Sequence, residues 1–293
     1  MMVNEKAQAF RKLVAEKELI TGVGARDALD AKIVENAGFN FVWSSSLGVS
    51  ASYAVPDASL ISMKQYLEAA RAMNEVIDIP IIVDGDTGYG NANNVMYAVR
   101  LFDEAGMAGI SIEDKKFPKD NSLLAGGRQE LASIEEFCGK IRAAVNTRKN
   151  GDFMVIARVE ALIAGWGQEE AMKRATAYVQ AGADCILIHS KSKSPDEVVE
   201  FVSAWDGQAP LVIVPTMYPD LTESRIRELK KVKIVIYANH TFRAAVKAAE
   251  DILREIKIAG GIHTVDHMMV PVTHLFELQG VPQMKENEGK YLR

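Results

Sequence analysis

"EAGMAGISI", residues 104–112, decides the fold: a helix-like run ends at a glycine, and a short apolar run starts three residues later. The same order recurs as "QAGADCILI" at residues 180–188 and "NAGFNFVW" at residues 36–43. A glycine just past the last periodic residue stands where a helix needs a left-handed C-terminal residue. Outward from these three stretches, short apolar runs occupy residues 19–23, 39–43, 80–83, 109–112, 153–157, 185–188, 211–214 and 234–237. They show little polar alternation, as expected of parallel strands buried on both faces. Amphipathic stretches at residues 31–37, 93–105 and 168–181 fill the gaps between runs. One strand-helix unit used eight times predicts a single-domain (β/α)8 TIM barrel over residues 1–293, with a partly helical tail at residues 271–293.

The bulk numbers agree with one large soluble domain. In 293 residues, 48% are hydrophobic and 25% charged, with a net charge of −5 and signs mixed along the chain. No basic block suggests nucleic acid, and no apolar run approaches the roughly 18 residues of a membrane span. The stretch from Met1 to Lys6 is charged and helical in character, without the apolar core of a signal peptide. Cys138 and Cys185 lack metal-ligand spacing and read as reduced, so the expected location is cytoplasmic.

In a barrel of this type the active site lies at the C-terminal strand ends. There the sequence places Ser44-Ser45-Ser46, Asp84 and Asp86, Glu113-Asp114-Lys115, Arg158 and Glu160, His189-Ser190, Thr216 and Asn239-His240. Charges converging on one mouth must pair with each other, a metal or a ligand. Asp84, Asp86 and Glu113, with Asp57 in the loop after the second run, are oxygen ligands that suit Mg²⁺. The other reading open for them is helix capping and pairing with Lys115 and Arg158. Arg158 suits a substrate carboxylate or phosphate, or else an ion pair with Glu160 or Glu113. Gly88 and Gly90 lack the context of a dinucleotide site. Residues 115–131, polar and glycine-bearing, read as a long loop of the kind that closes over a site.

Taken together, "DGDTGYGN" (84–91), "EDKKFPKDNS" (113–122), "ARVEALIAGWG" (157–167) and "ADCILIHSK" (183–191) resemble the phosphoenolpyruvate mutase and phosphonopyruvate hydrolase branch of the isocitrate lyase superfamily. The segment from Glu113 to Ser122 carries the more specific part of the likeness. The resemblance implies a barrel that exchanges its last helix between subunits of a tetramer built from dimers. It implies Mg²⁺ held directly by Asp84, with Asp57, Asp86 and Glu113 acting through waters. Arg158 then holds substrate oxygens with His189 in support, and Trp43, Ser45, Ser46 and Leu47 receive the other end of the substrate. Residues 115–131 become a lid from which Lys119, Asn121 and Ser122 reach in. Moving a phosphoryl group between oxygen and carbon of one three-carbon acid passes through a loose, metaphosphate-like species. Water would intercept that species, so a water-excluding lid is what the chemistry needs. In this reading Mg²⁺ neutralises the pyruvate enolate.

Lyases of the superfamily carry a Cys in this lid, and here Lys115-Lys116-Phe117-Pro118-Lys119 has none. The stretches "SASYAVPDA" (50–58) and "GRQEL" (127–131) look more like the hydrolases. Asn121 looks like the mutases, because hydrolases tend to have Thr there. The expected activity is the mutase, with the hydrolase as alternative and a lyase on another 2-keto acid or a non-catalytic metabolite-binding barrel behind it. Two departures from the family pattern lie at the mouth: Ser46 in place of a glycine whose amide meets the phosphonate, and Gly24-Ala25-Arg26 after the first run.

Overall fold

In the computed structural model, which describes residues 4–207 and 209–292, eight parallel strands close into one barrel in chain order. They are β1 (Ile20–Ala25), β2 (Phe41–Ser44), β3 (Ile81–Asp84), β4 (Gly109–Glu113), β5 (Met154–Val159), β6 (Cys185–Ile188), β7 (Leu211–Ile213) and β8 (Val232–Tyr237). Each predicted run overlaps one of them. The helices are α1 (Glu5–Glu16), α2 (Ala28–Asn36), α3 (Ser46–Ser52), α4 (Met63–Val76), α5 (Ala92–Glu104), α6 (Ile134–Thr147), α7 (Gly167–Gln180), α8 (Asp196–Ala204), α9 (Glu223–Glu228), α10 (His240–Ala259), α11 (Val272–Leu278) and α12 (Val281–Tyr291). Met1 to Val3, part of the stretch read as helical, lie outside the described residues. Gly38, Gly106 and Gly182 end α2, α5 and α7 with φ of +82°, +82° and +104°.

Boundaries shift where side chains intervene. β2 starts at Phe41 because Asn40 uses its side-chain oxygen to accept from the Thr21 N–H at 2.9 Å. β7 stops at Ile213, since Pro215 opens a 3₁₀ turn.

The strands carry two apolar surfaces, one on each side of the barrel wall. Val42, Ile81, Val83, Ile110, Ile112, Val155, Ala157, Ile186, Ile188 and Ile213 belong to the cluster shared with the helices. Phe41, Trp43, Ile82, Met154, Ile156, Cys185, Leu187, Val212, Ile234 and Ile236 form a second cluster that fills the lumen. Odd and even positions of a strand face opposite sides, and the memberships follow that rule except in β8, where a register shift against β7 leaves Val232 in the outer cluster and Ile234 in the lumen. α1 adds Ala7 and Phe10 to the lumen cluster, with the Phe10 ring edge-on to Phe41 at 5.2 Å. The N-terminal end of the barrel is thereby plugged.

Contacts along the chain define two units, Met1–His240 and Thr241–Arg293. The first is the barrel. The second begins well before the tail expected at residues 271–293, and it contains α11 and α12. It exposes Leu253, Ile258, Ile262, Val270, Val272 and Phe276. Among the described residues no helix is long and apolar enough to cross a membrane.

On its lumen face β1 carries Gly22 and Gly24 beyond Ile20. A Cβ on Gly24 would fall 1.9 Å from the Ala238 carbonyl oxygen, a backbone atom that cannot swing aside. Gly24→Ala is therefore expected to lower stability by about 1–3 kcal/mol, as overpacking does; urea denaturation followed by far-UV circular dichroism checks it.

Candidate active site

Continuing the inward parity past each strand end brings Ser45, Asp84, Asp86, Glu113, Arg158, Glu160, His189, Thr216 and Ala238 towards one mouth. The segment over them is pinned at both ends: Lys115 bridges Leu131, and the Lys116 N–H donates to the Glu130 carbonyl at 2.9 Å. Beneath it lies a cavity of about 60 Å³, lined by Trp43, Ser45, Leu47, Asp57, Asp84, Lys119, Asn121, Ser122, Arg158, His189, Thr216 and Asn239 among others. The structure thus brings together every residue expected to act on substrate except Ser46.

One half of the site is acidic. Lys119 reaches in from the lid, 4% exposed, with its Nζ 2.8 Å from Asp86 Oδ1 and 3.2 Å from Asp57 Oδ2. Asn121 Nδ2 donates to the same Asp57 oxygen at 2.6 Å. Burial disfavours the charged forms, yet Asp86, Glu113 and Asp57 outweigh it and hold the Lys119 ammonium well above its ordinary range. Burial likewise pushes Asp57 up, and Lys119 and Asn121 overcome it to leave the carboxyl below its usual value. Asp86 goes the other way: burial, with Asp57, Asp84 and Glu113 nearby, raises it to about 7 despite Lys119. Asp86 also sits at φ +49°, a left-handed conformation that Asp tolerates better than most side chains.

The other half is basic. Arg158 Nε meets Glu160 Oε1 at 2.5 Å and Glu113 Oε2 at 3.5 Å. Arg158 is thus ion-paired to both glutamates and also lines the cavity. His189 is neutral, its pKa lowered to about 3 by burial and by the Arg158 charge. Its Nδ1 has no hydrogen-bond partner among the described residues.

Ser46 stands beside the cavity, with its hydroxyl 3.5 Å from Lys119 Nζ. Its hydroxyl does not line the cavity but donates to Asp84 Oδ2 at 2.8 Å, and its N–H lies 3.4 Å from the same oxygen. The short side chain folds back on the neighbouring carboxylate. Asp114, a candidate by position, points outward: it accepts from Tyr178 OH at 2.6 Å and Arg174 Nη1 at 2.9 Å. Parity explains this, since Asp114 follows the outward Ile112. His240 is exposed and stands edge-on to Tyr237 at 6.0 Å, away from the cavity. Glu160, Thr216 and Asn239 belong to the site; the sequence marks the last two only as strand-end residues and Glu160 also as an ion-pair partner for Arg158. The signal for Glu160 was its spacing of two from Arg158.

The donor set fits Mg²⁺. Asp57 Oδ1, Asp86 Oδ2 and both Glu113 oxygens are buried without a hydrogen-bond partner among the described residues. Counted as ionised, five carboxylates (Asp57, Asp84, Asp86, Glu113, Glu160) face three cations (Lys115, Lys119, Arg158), leaving room for a divalent ion. No trio of His, Cys, Asp or Glu among the described residues is arranged to hold an ion unaided. That suits Mg²⁺, which keeps several waters and takes one or two carboxylates directly. Asp84 lines the cavity while Asp86 and Glu113 lie behind it.

A barrel that gathers carboxylates, an arginine and a neutral histidine beneath a polar lid has the architecture of the phosphoenolpyruvate mutase and isocitrate lyase superfamily, whose members here are enzymes. Within it the chain belongs to the phosphoenolpyruvate phosphomutase family, which matches residues 10–257. It is 52% identical to the phosphonopyruvate hydrolase of Variovorax sp. (strain Pal2), over 98% of this chain and 99% of that one. It superposes on the phosphoenolpyruvate phosphomutase of Streptomyces platensis subsp. rosaceus with a TM-score of 0.95 at 44% identity, covering 98% and 99% of the two chains. A phosphonopyruvate hydrolase crystallised with oxalate and Mg²⁺ superposes with a TM-score of 0.93 at 50% identity over all of both chains.

Because Asp114 neutralises a buried arginine, Asp114→Ala is expected to cost about 3–5 kcal/mol of stability by leaving Arg174 uncompensated. A shift of the urea midpoint with an unchanged slope would report it.

Proposed function

We propose that the chain is a phosphoenolpyruvate mutase, interconverting phosphoenolpyruvate and phosphonopyruvate by moving a phosphoryl group between the oxygen and the C3 carbon of one pyruvate skeleton. The observation that carries this reading is Asn121: the lid delivers its amide into the cavity, 2.6 Å from Asp57 and beside the Lys119 ammonium. A migrating phosphoryl group carries negative charge on its equatorial oxygens, and an ammonium with an amide donor matches that charge. Asp57, held ionised, fixes both side chains. Arg158 binds the anionic oxygens of the substrate at the opposite wall, and the neutral His189 ring offers one donor and one acceptor without adding charge. Mg²⁺, held by Asp84 with Asp86, Glu113 and Asp57 behind it, supplies positive charge against the substrate oxygens when bound.

Water exclusion decides between recombination and loss. With the lid down, Lys119 and Ser122 are each 4% exposed, so a loose phosphoryl group meets the pyruvate carbon sooner than solvent. The second reading, a phosphonopyruvate hydrolase giving pyruvate and phosphate, is favoured by the 52% identity to such an enzyme. Asn121 speaks for the mutase, since a shorter Thr would leave room for water. The reading extends to assembly: the exposed apolar positions of the second unit suit cover by another copy, in a tetramer with exchanged terminal helices. The buried, unpaired Cys138 and Cys185 suit the cytoplasm.

Phosphorus NMR of the protein with Mg²⁺ and phosphonopyruvate tests the reading. Growth of the phosphoenolpyruvate signal is expected; inorganic phosphate with equimolar pyruvate would overturn the mutase in favour of the hydrolase. EDTA should abolish conversion and Mg²⁺ restore it. Asp57→Ala and Asn121→Ala are each expected to lower kcat by roughly a hundredfold or more, with unchanged far-UV circular dichroism. Asn121→Thr should raise the share of inorganic phosphate among the products. Oxalate, an enolate mimic, should bind with Mg²⁺ in all of them.

A further inference from the structure

One buried cluster beside the cavity is more heavily bonded than a site wall requires. Ser122 Oγ donates to Glu160 Oε2 at 2.6 Å and accepts from Lys115 Nζ at 2.7 Å and Arg158 Nη2 at 2.9 Å. A hydroxyl has one proton to give and two lone pairs to fill, so this one is saturated. With the lid down it has nothing left for a substrate, which changes its expected role from binder to fastener. Glu160 is 0% exposed and divides its two oxygens. Oε1 takes Arg158 Nε at 2.5 Å, while Oε2 takes Ser122 and lies 3.2 Å from Lys115 Nζ. Lys115 Nζ also donates to the Asp120 carbonyl at 3.0 Å, gripping the lid backbone next to Asn121.

We propose that Glu160 is a positioning residue: the barrel's half of a latch whose lid half is Ser122 and Lys115, and through which lid closure fixes the plane of Arg158. This rests on the reading of Arg158 as the group that binds substrate oxygens. The guanidinium has five N–H donors in a rigid fork. In the closed state Nε is held by the barrel through Glu160, and Nη2 by the lid through Ser122. The remaining donors then face the cavity in one orientation. When the lid lifts, Ser122 leaves, and a buried carboxylate oxygen and a guanidinium nitrogen lose a partner at the same moment. Leaving such groups unmatched is costly, so the contact resists opening and couples it to Arg158. A plain ion pair neutralising Arg158 would involve no lid hydroxyl.

The test uses Glu160→Gln, Ser122→Ala and the double variant in the full chain. Hydrogen exchange of residues 116–130 is followed with Mg²⁺ and oxalate, and steady-state kinetics with phosphonopyruvate. The expected result is at least tenfold faster lid exchange in each variant. With it, kcat should fall by roughly ten- to a hundredfold with KM nearly unchanged, and the double variant should be no worse than the worse single one. Exchange as slow as in the parent protein, or effects of the two substitutions that simply add, would overturn the latch. Ser122→Ala removes one small group and decides the matter alone should Glu160→Gln fail to fold. Because the exchange experiment uses oxalate, it stands whichever product the enzyme makes; only the kinetic arm fails if phosphonopyruvate is not the substrate.

Discussion

A β-strand turns every second side chain to the same side, and in a closed barrel that alternation decides which residues meet in the lumen. Here it separates two kinds of chemistry along one backbone. Ile110 and Ile112 dissolve into the helical layer, while Ser111 and Glu113, alternating with them, face the lumen. The lower lumen is sealed by Phe10, Phe41 and Ile82, so the charged residues meet only at the upper rim. Their burial follows from the packing below them, and their mutual pairing follows from their burial.

Burial then sets the electrostatics. Charges in a poorly polarisable surrounding must be matched locally, and the site does this in two separate groups. Lys119 answers Asp57 and Asp86, whereas Lys115 and Arg158 answer Glu160 and Glu113. Both lysines come from the lid segment, so the barrel alone carries an excess of negative charge that only closure or a bound cation offsets. Attraction between lid and barrel is therefore built into the composition of the segment.

Much of this was legible in the sequence. Eight apolar runs with glycines between them announced the barrel, and reading one step past each run found Asp84, Arg158 and His189. Counting in twos from Ile112 would also have turned Asp114 outward, where Tyr178 and Arg174 await it. What the sequence could not show is anything that depends on the path of the lid. Ser46 looked like an obstacle to substrate until its hydroxyl was seen on Asp84. Ser122 and Glu160 are 38 residues apart, and nothing local in either stretch tells that one fastens the other. The start of the second unit at Thr241 was also hidden, because α10 continues the helical rhythm of the barrel without a break in composition.

The bridge between Lys115 and Leu131 makes the lid a ring attached to the barrel by a single narrow neck. Because the chain enters and leaves at adjacent points, the ring speaks to the strands through side chains such as Lys119 and Ser122 and not through its backbone path. The ring can therefore change length between those anchoring side chains while the strand ends stay in register. A scaffold with that property can pass from one fate of a reactive intermediate to another by rewriting one loop, which gives selection a short route between neighbouring chemistries.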